Sequence, residues 1–109
     1  MRQPLIAVAF ALGLCDAAPA TQTTFTYGSG NVTCGAWIRS KADDPEMYSV
    51  RHVWVAGFLS ALSYVRGGNV AGGPDLEGIY QFIDNFCGAR PLASLREATV
   101  AAVAEANRQ

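Results

Sequence analysis

The chain has 109 residues and a net charge of −1, and 50% of its residues are hydrophobic. This length fits one domain, and this apolar content predicts a packed core instead of a disordered chain. The sequence has no run of Lys and Arg interleaved with aromatic residues, which argues against nucleic acid as the partner.

The first twenty residues have the pattern of a secretory signal peptide. Arg2 is followed by an apolar block over residues 5–14, and the segment closes on Ala18-Pro19-Ala20, where signal peptidase requires small residues. The block is about half as long as the roughly 20 residues that span a bilayer, which argues against a membrane anchor. Lipidation of Cys15 is disfavoured because leucine precedes it. We therefore predict a signal peptide over residues 1–20 and a periplasmic or secreted mature protein.

Two cysteines, Cys34 and Cys87, remain after the signal peptide is removed. Small exported domains with an even cysteine count usually pair them, because the compartment is oxidising and a small core is marginally stable. A bridge here would contribute roughly 4 kcal/mol in the chain-entropy model. His52 is the only histidine, so a metal site lacks ligands, and no base accompanies a cysteine nucleophile. We predict a disulfide and no metal or cofactor.

Residues 21–33 are predicted as an extended, exposed lead-in, and residues 34–109 as a single helical domain. Gly28, Gly30 and Asn31 in the lead-in are turn-forming residues. The segment that starts at Thr33 fits either a short helix capped by this threonine or a bent strand. The sequence leaves both interpretations open for residues 34–41.

The main predicted helix begins at Asp44-Pro45-Glu46. These residues supply a capping carboxylate, a proline suited to the first helical position and an acid that complements the positive helix end. Arg66 and the following two glycines suit its end. Gly57 costs up to about 1 kcal/mol against alanine in mid-helix, so we expect another helix to approach it closely. The apolar stripe, with residues every three or four positions, comprises Val50, Trp54, Val55, Phe58, Leu59, Leu62 and Val65.

Residues 66–75 contain four glycines and one proline, which predicts a mobile surface loop. Two interpretations remain open for this loop. It is either a plain linker or a contact loop, since rigid scaffolds often carry binding residues on their loops. For the second interpretation, the candidate partner-binding residues are Arg66, Asn69 and Val70.

Two more helices complete the predicted fold. Asp75 can cap the first, which runs to Cys87 with Gly88 as its C-terminal stop. The capping box Ser94-Leu95-Arg96-Glu97 begins the second. Its inward positions are Leu95, Ala98, Thr99, Ala102, Val103 and Ala106. The predicted fold is therefore all-α, a small bundle of three to four helices pinned by one disulfide between Cys34 and Cys87.

Catalytic chemistry has little support in the sequence. Ser60, His52 and Asp84 occur without a nucleophile-elbow motif, so we predict no catalytic residues and a protein that is not an enzyme. His52 is expected at the surface or at its boundary with the core. Asp84 lies between two phenylalanines and is expected to pair with an arginine or a backbone amide.

Four sequence blocks carry a resemblance to a known family. They are Cys34-Gly35-x-Trp37, Trp54-Val55-x-Gly57-Phe58-Leu59-Ser60, Ile83-Asp84-Asn85-Phe86-Cys87 and Arg90-Pro91-Leu92, followed by an alanine-rich helix. In this order they resemble the Rap/Tai-type immunity proteins of type VI secretion, over nearly the whole mature chain. The resemblance implies a helical, disulfide-containing periplasmic protein that binds a peptidoglycan amidase effector and neutralises it by steric occlusion.

The chain departs from this family's pattern at one place. Ala61-Leu62-Ser63 stands where such sequences often carry Gly-x-Asn, so no role passes to that asparagine. A looser similarity in size, export and single disulfide links the chain to the acid-stress chaperone HdeA. If the chain were a chaperone of this kind, it would expose its Trp54 and Phe58 face to unfolded clients in acid. The expected partner is thus a protein, either an effector or a client, and a homodimer is compatible with both.

Overall fold

The computed structural model describes residues 25–108, which form four α-helices and one short 3-10 turn. The turn is Gly28–Asn31. The helices are α1, Cys34–Asp43; α2, Pro45–Arg66; α3, Leu76–Ala89; and α4, Leu95–Ala106. The prediction of a small all-α fold is confirmed. The predicted signal peptide lies outside the described residues.

Each helix begins with a side chain that accepts a hydrogen bond from a free backbone N–H of the first turn. The four capping residues are Thr33, Asp44, Asp75 and Ser94. The last three were predicted from the sequence. The Thr33 cap shows that the segment left open between helix and strand is a helix. Helix α3 continues past Gly88, its predicted stop, because the Arg90 N–H still bonds to carbonyls of the last turn.

The core lies between α1, α3, α4 and one side of α2. Trp37 of α1 is completely buried, together with Ile83 of α3 and Leu95 of α4. Val55 and Leu59 are the buried contributions of α2. In α4, the inward positions from Leu95 to Val103 are buried as predicted.

A disulfide joins Cys34 at the start of α1 to Cys87 near the end of α3. Both cysteines are fully buried, and their Cα atoms lie 4.6 Å apart. The predicted pairing is confirmed. The bridge closes a sequence separation of 53 residues, so it connects segments that are distant in the chain.

Backbone hydrogen bonds beside this disulfide join the start of α1 to the connector between α3 and α4. The Cys34 N–H donates to the Ala93 carbonyl at 2.7 Å, and the Gly35 N–H donates to the Pro91 carbonyl at 2.9 Å. In return, the Leu95 N–H donates to the Val32 carbonyl at 2.9 Å. We call this arrangement the clasp.

The described part of the predicted lead-in is attached to α2 at Gly30, although most of its residues, including Phe25 and Tyr27, are exposed. Gly30 is buried, and a Cβ atom at this position would overlap the ring of Trp54 and the methyl group of Thr26. The Trp54 indole N–H also donates to the Tyr27 carbonyl at 2.8 Å. The predicted lead-in is thus exposed over most of its described residues, but it also forms a 3-10 turn and contacts Trp54, because this large aromatic side chain on α2 offers the segment a surface to cover.

The predicted apolar stripe of α2 is wrong at its two ends. Val55 and Leu59 are buried, whereas Val50 and Val65 are exposed. Helix α2 packs on α1 and the 3-10 turn, which leaves its outer side uncovered by the described residues. Nor does any helix in residues 25–108 approach Gly57, since a Cβ atom there would have no neighbour within 4 Å.

Within residues 25–108, no helix combines the length and the apolar character that a transmembrane span requires.

Candidate functional site

The glycine-rich loop between α2 and α3 is tied to the bundle at its centre. Val70 and Ala71 are each 7% exposed and belong to the core. The Val70 N–H donates to the Ser63 hydroxyl at 3.0 Å, and the Asn107 amide donates to the Val70 carbonyl at 3.0 Å. The expected mobile linker is therefore a loop with fixed attachments to α2 and to the residue that follows α4.

Asn69 shapes this loop through its side chain. Its amide N–H donates to the Gly72 carbonyl at 2.9 Å, and its amide oxygen accepts from the Ala71 N–H at 3.1 Å. Gly67 and Gly72 adopt positive φ angles of 78° and 70°, which side-chain-bearing residues rarely adopt. The glycines thus allow a defined turn, which Asn69 closes.

Two of the three predicted partner-binding residues lie at the surface. Arg66 ends α2 and Asn69 follows it in the loop, and both are exposed. The placement of Val70 among the contact residues is corrected, because its side chain is buried and anchors the loop instead. Arg66 makes no ion pair within residues 25–108, so its guanidinium is open to solvent.

A groove of about 470 Å³ lies beside the loop, between α2 and the start of α3. We call it the α2–α3 groove. Leu59 and Ile79 form apolar parts of its lining, and Ser60, Asn69 and Asp75 supply polar groups. One carboxylate oxygen of Asp75 caps α3 by accepting from the Gly78 N–H at 2.9 Å. The groove can therefore take an apolar side chain with a polar end.

A second groove, of about 380 Å³, lies on another side of α2. Trp54 and Phe58 stack in its wall with ring centroids 5.2 Å apart. Phe25 and Tyr27, both exposed, also line it, together with Arg96 of α4. We call it the aromatic groove. Sequence reasoning missed its full composition because three segments distant in the chain form it, and only the Trp54 and Phe58 pair shows a helical spacing.

His52 belongs to an aromatic cluster between α1, α2 and α3. Its ring stacks on Trp37 with centroids 4.5 Å apart, and it meets the rings of Tyr48 and Tyr80 at 4.1 Å each. Its Nδ1 lies 2.9 Å from the Tyr48 carbonyl, to which the N–H donates. His52 is half-buried, as expected of a boundary residue.

Tyr80 completes this cluster from α3. Its hydroxyl donates to the His52 carbonyl at 3.0 Å. Burial raises the pKa of the Tyr80 phenol above its ordinary value, and the charges of Glu77 and Tyr48 raise it further. The cluster packs the four rings of Trp37, Tyr48, His52 and Tyr80 together, and we assign it a structural role.

Within residues 25–108, Asp84 pairs with neither an arginine nor a backbone amide, so that expectation is corrected. Its Oδ1 accepts from the Trp37 indole N–H at 2.7 Å, and its Oδ2 lies 3.6 Å from the Lys41 ammonium. The Ser60 hydroxyl donates to the Ala56 carbonyl at 2.8 Å. Asp84 thus links α3 to α1, Ser60 bonds within α2, and His52 belongs to the aromatic cluster.

Within residues 25–108 no three His, Cys, Asp or Glu side chains form a group that could hold a metal ion. Comparisons with protein-family models, with curated proteins and with solved structures give no significant match.

Proposed function

We propose that this protein is a non-enzymatic periplasmic binding protein that neutralises a peptidoglycan amidase effector by occluding its cleft, as the Rap/Tai-type immunity proteins do. The observation that supports this proposal is the fixed loop between α2 and α3. It presents Arg66 and Asn69 to solvent while Val70 anchors it in the core.

A fixed loop suits tight binding because little conformational entropy is lost when the partner arrives. The hydrogen bonds of Ser63 and Asn107 to Val70 hold the loop before any contact forms. Side-chain ordering at an interface costs about 0.5–1.5 kcal/mol for each immobilised flexible side chain. Asn69 has already lost this freedom, since both ends of its amide are bonded inside the loop.

Arg66 supplies the charged contact of the proposed surface. Arginine is enriched among residues that dominate binding energy, and its planar guanidinium can bind a carboxylate through two parallel hydrogen bonds. The α2–α3 groove next to it accepts a protruding side chain of the partner against Leu59 and Ile79. Occlusion of this kind requires no chemistry from the binding protein.

The test is capture of a partner by the tagged mature protein, with its disulfide intact, from envelope and culture fractions at neutral pH. The expected result is one stoichiometric hydrolase, identified by mass spectrometry, whose cleavage of purified peptidoglycan stops when the binding protein is added. Absence of such a hydrolase from fractions known to contain peptidoglycan amidases contradicts the proposal.

Variants locate the binding surface. Arg66→Ala should weaken capture, whereas Arg39→Ala, an exposed arginine on α1, serves as the matched control and should leave it unchanged. Asn107→Ala removes the hydrogen bond that holds the loop from behind without altering an exposed loop residue, so it should also weaken capture. Equal capture by Arg66→Ala and Arg39→Ala would exclude the loop as the contact.

The aromatic groove favours a second candidate function, an HdeA-like periplasmic acid-stress chaperone. Phe25 and Tyr27 are exposed beside the stacked rings of Trp54 and Phe58, and such surfaces bind the apolar segments of unfolded proteins. This candidate requires that the mature protein suppress aggregation of an unfolded client in strong acid. The immunity-type function requires no such activity, so a light-scattering assay in acid separates the two.

A further inference from the structure

The aromatic groove combines an apolar wall with a single positive charge. Arg96 is the charged residue of its lining, and no acidic side chain of residues 25–108 lines it. The aromatic part of the wall consists of Phe25, Tyr27, Trp54 and Phe58. A purely apolar ligand would use this wall and leave the positive charge without a partner. The groove therefore matches a ligand that is apolar and carries one negative charge.

Arg96 has no compensation for its partial burial within residues 25–108. Arg39 and Arg66 also lack an ion pair there, but they are exposed, so water solvates their charges. Arg51 is half-buried, and its guanidinium donates to the Ala36 carbonyl at 2.9 Å. Arg96 is half-buried as well, yet no carboxylate of the described chain pairs with it. Because an unpaired charge is costly to remove from water, an acceptor from outside is favoured.

The surroundings of Arg96 in the fold do not offset its charge. Arg96 lies in the first turn of α4, where the positive end of the helix dipole disfavours a cation. Glu97, the acidic residue beside it in the chain, accepts a hydrogen bond from the hydroxyl of the capping Ser94 at 3.4 Å. The cation–π contact found in the described residues belongs to Arg90 and Phe86. The position of Arg96 thus favours an anion supplied by a ligand.

We propose that the aromatic groove binds the carboxyl-terminal residue of a polypeptide, whose carboxylate pairs with Arg96 and whose apolar side chain packs against Trp54 and Phe58. The planar guanidinium can donate two parallel hydrogen bonds to a carboxylate. A terminal residue carries its carboxylate and its side chain on the same Cα atom, so both can enter a groove of about 380 Å³. This volume lies near the lower end of the roughly 300–1,000 Å³ range of ligand sites, which suits one or two residues.

The stacked rings set the preference for the terminal side chain. The Trp54 and Phe58 ring planes are 19° from parallel, so the two rings form a continuous apolar surface. The Trp54 indole N–H already donates to the Tyr27 carbonyl, so it is not free for a polar ligand. Stacking of a further ring on such a surface is favourable. A terminal phenylalanine should therefore bind more tightly than a terminal alanine.

The preceding residues of the polypeptide have a path along α2. Ala61 and Val65 follow Phe58 at intervals of three and four residues, so the three lie on one side of the helix. Ala61 is exposed, and Val65 is 78% exposed. A chain that enters the groove by its end can extend over this side, which a free small acid would leave unused. We therefore expect a short peptide to bind more tightly than its terminal residue alone.

The proposal goes beyond effector binding by the loop between α2 and α3 and does not rest on it. The aromatic groove and the α2–α3 groove lie on different sides of α2. The proposal also differs from chaperone activity, because unfolded clients offer internal apolar segments, whereas pairing with Arg96 requires a free terminal carboxylate. Dependence of binding on this carboxylate at neutral pH is therefore the property to measure.

The first experiment is fluorescence anisotropy at neutral pH, with the mature protein, residues 21–109, and the amino-terminally labelled peptide Gly-Ser-Ala-Ala-Phe with a free carboxylate. The matched probe is the same peptide with a carboxyl-terminal amide. The free acid should bind at least about tenfold more tightly than the amide, because the amide cannot form the charged pair. Equal binding of acid and amide overturns the proposal, as does a dissociation constant of the acid above about 1 mM. Unlabelled N-acetyl-phenylalanine should displace the probe less effectively than the unlabelled peptide, and equal displacement would refute binding of a polypeptide.

Variants assign the carboxylate to Arg96. The Arg96→Gln protein should bind acid and amide equally, with the affinity that the wild type shows for the amide. Arg39→Gln changes an exposed arginine of α1 that does not line the groove, so it should keep the tenfold preference. Circular dichroism must show that the Arg96→Gln protein is folded; the comparison of acid and amide in the wild type tests the proposal without any variant. A preference for the acid that survives Arg96→Gln overturns the proposed pairing.

The indole N–H signals in a heteronuclear NMR spectrum locate the bound peptide. Trp54 lines the groove, whereas Trp37 is completely buried and donates to Asp84. The free-acid peptide should shift the Trp54 signal and leave the Trp37 signal unchanged, and a Trp54→Phe protein assigns the two signals. Binding that leaves the Trp54 signal in place would refute the aromatic groove as the site.

Discussion

Replacement of Asp84 by alanine tests the polar contact that holds Trp37 in the core. Trp37 is 0% exposed, and its indole N–H has Asp84 Oδ1 as its partner at 2.7 Å. Without the carboxylate this donor has no protein partner in the described structure. A buried donor left unsatisfied costs about 1–3 kcal/mol, and hydrogen bonds to charged groups contribute about 1.5–3 kcal/mol. We expect Asp84→Ala to lower the free energy of unfolding by about 2–3 kcal/mol.

The ion pair of Asp84 with Lys41 should contribute much less. The lysine side chain is 61% exposed and the two charged atoms are 3.6 Å apart. Exposed pairs of this kind contribute about 0–1 kcal/mol, because water screens them and the side chains lose freedom. Lys41→Ala is therefore the matched control, with an expected loss below about 0.5 kcal/mol. Asp84→Asn keeps an acceptor for the indole N–H and should therefore lower the free energy of unfolding by less than Asp84→Ala does.

Urea denaturation followed by circular dichroism measures these differences, and a double-mutant cycle of Asp84→Ala with Trp37→Phe isolates the contact itself. The expected coupling free energy is about 1–2 kcal/mol, within the range for residues in direct contact. Equal losses for Asp84→Ala and Lys41→Ala, or a cycle without coupling, would refute the reasoning and assign the effect of Asp84 to packing alone.

Three further predictions concern stability. Replacing Cys34 and Cys87 by serine should lower the free energy of unfolding by about 4 kcal/mol in the chain-entropy model, measured by urea denaturation; a loss below about 1 kcal/mol would contradict it. Gly30→Ala should lower the free energy of unfolding by about 1–3 kcal/mol, since its Cβ overlaps the Trp54 ring, whereas a Cβ at Gly88 in α3 meets nothing within 4 Å among the described residues, so Gly88→Ala should raise this free energy by up to about 1 kcal/mol. The raised pKa of Tyr80 contributes stability that is present below the ordinary phenol value of 10.0 and lost as pH rises through the folded-state pKa. The thermal midpoint of the Tyr80→Phe protein should therefore fall less than that of the wild type as pH rises in alkaline buffer. An equal fall of the midpoint with pH in both proteins would count against this contribution.

The helices and their starts could be predicted because their signals are local. Asp44, Asp75 and Ser94 each cap a helix through an N–H three residues ahead, so a short stretch of sequence contains the whole interaction. The disulfide was predictable for another reason, since only two cysteines follow the predicted signal peptide. Thr33 carried the same capping signal, but a ten-residue helix rich in polar residues gave no apolar periodicity to support it.

The parts that could not be predicted depend on contacts between distant segments. The hydrophobic positions of α2 occur nearly all round the helix, so periodicity could not show which side faces α1 and the 3-10 turn. Asp84 bonds to a residue 47 positions earlier, and the Val70 carbonyl accepts a hydrogen bond from Asn107, which lies 37 positions later. The glycine content of the loop correctly indicated a turn, but the bonds that fix it come from Ser63 and Asn107.

The clasp has a consequence for the time at which the chain can fold. Helix α1 obtains its covalent partner from α3, and its first N–H groups bond to carbonyls of Ala93 and Pro91. These partners are all present only after residue 93 has been synthesised. Contacts between such distant residues form slowly, because the intervening chain must be ordered first. Folding of α1 onto the bundle is therefore a late step, and a chain shortened before α4 would leave Trp37 without its native surroundings.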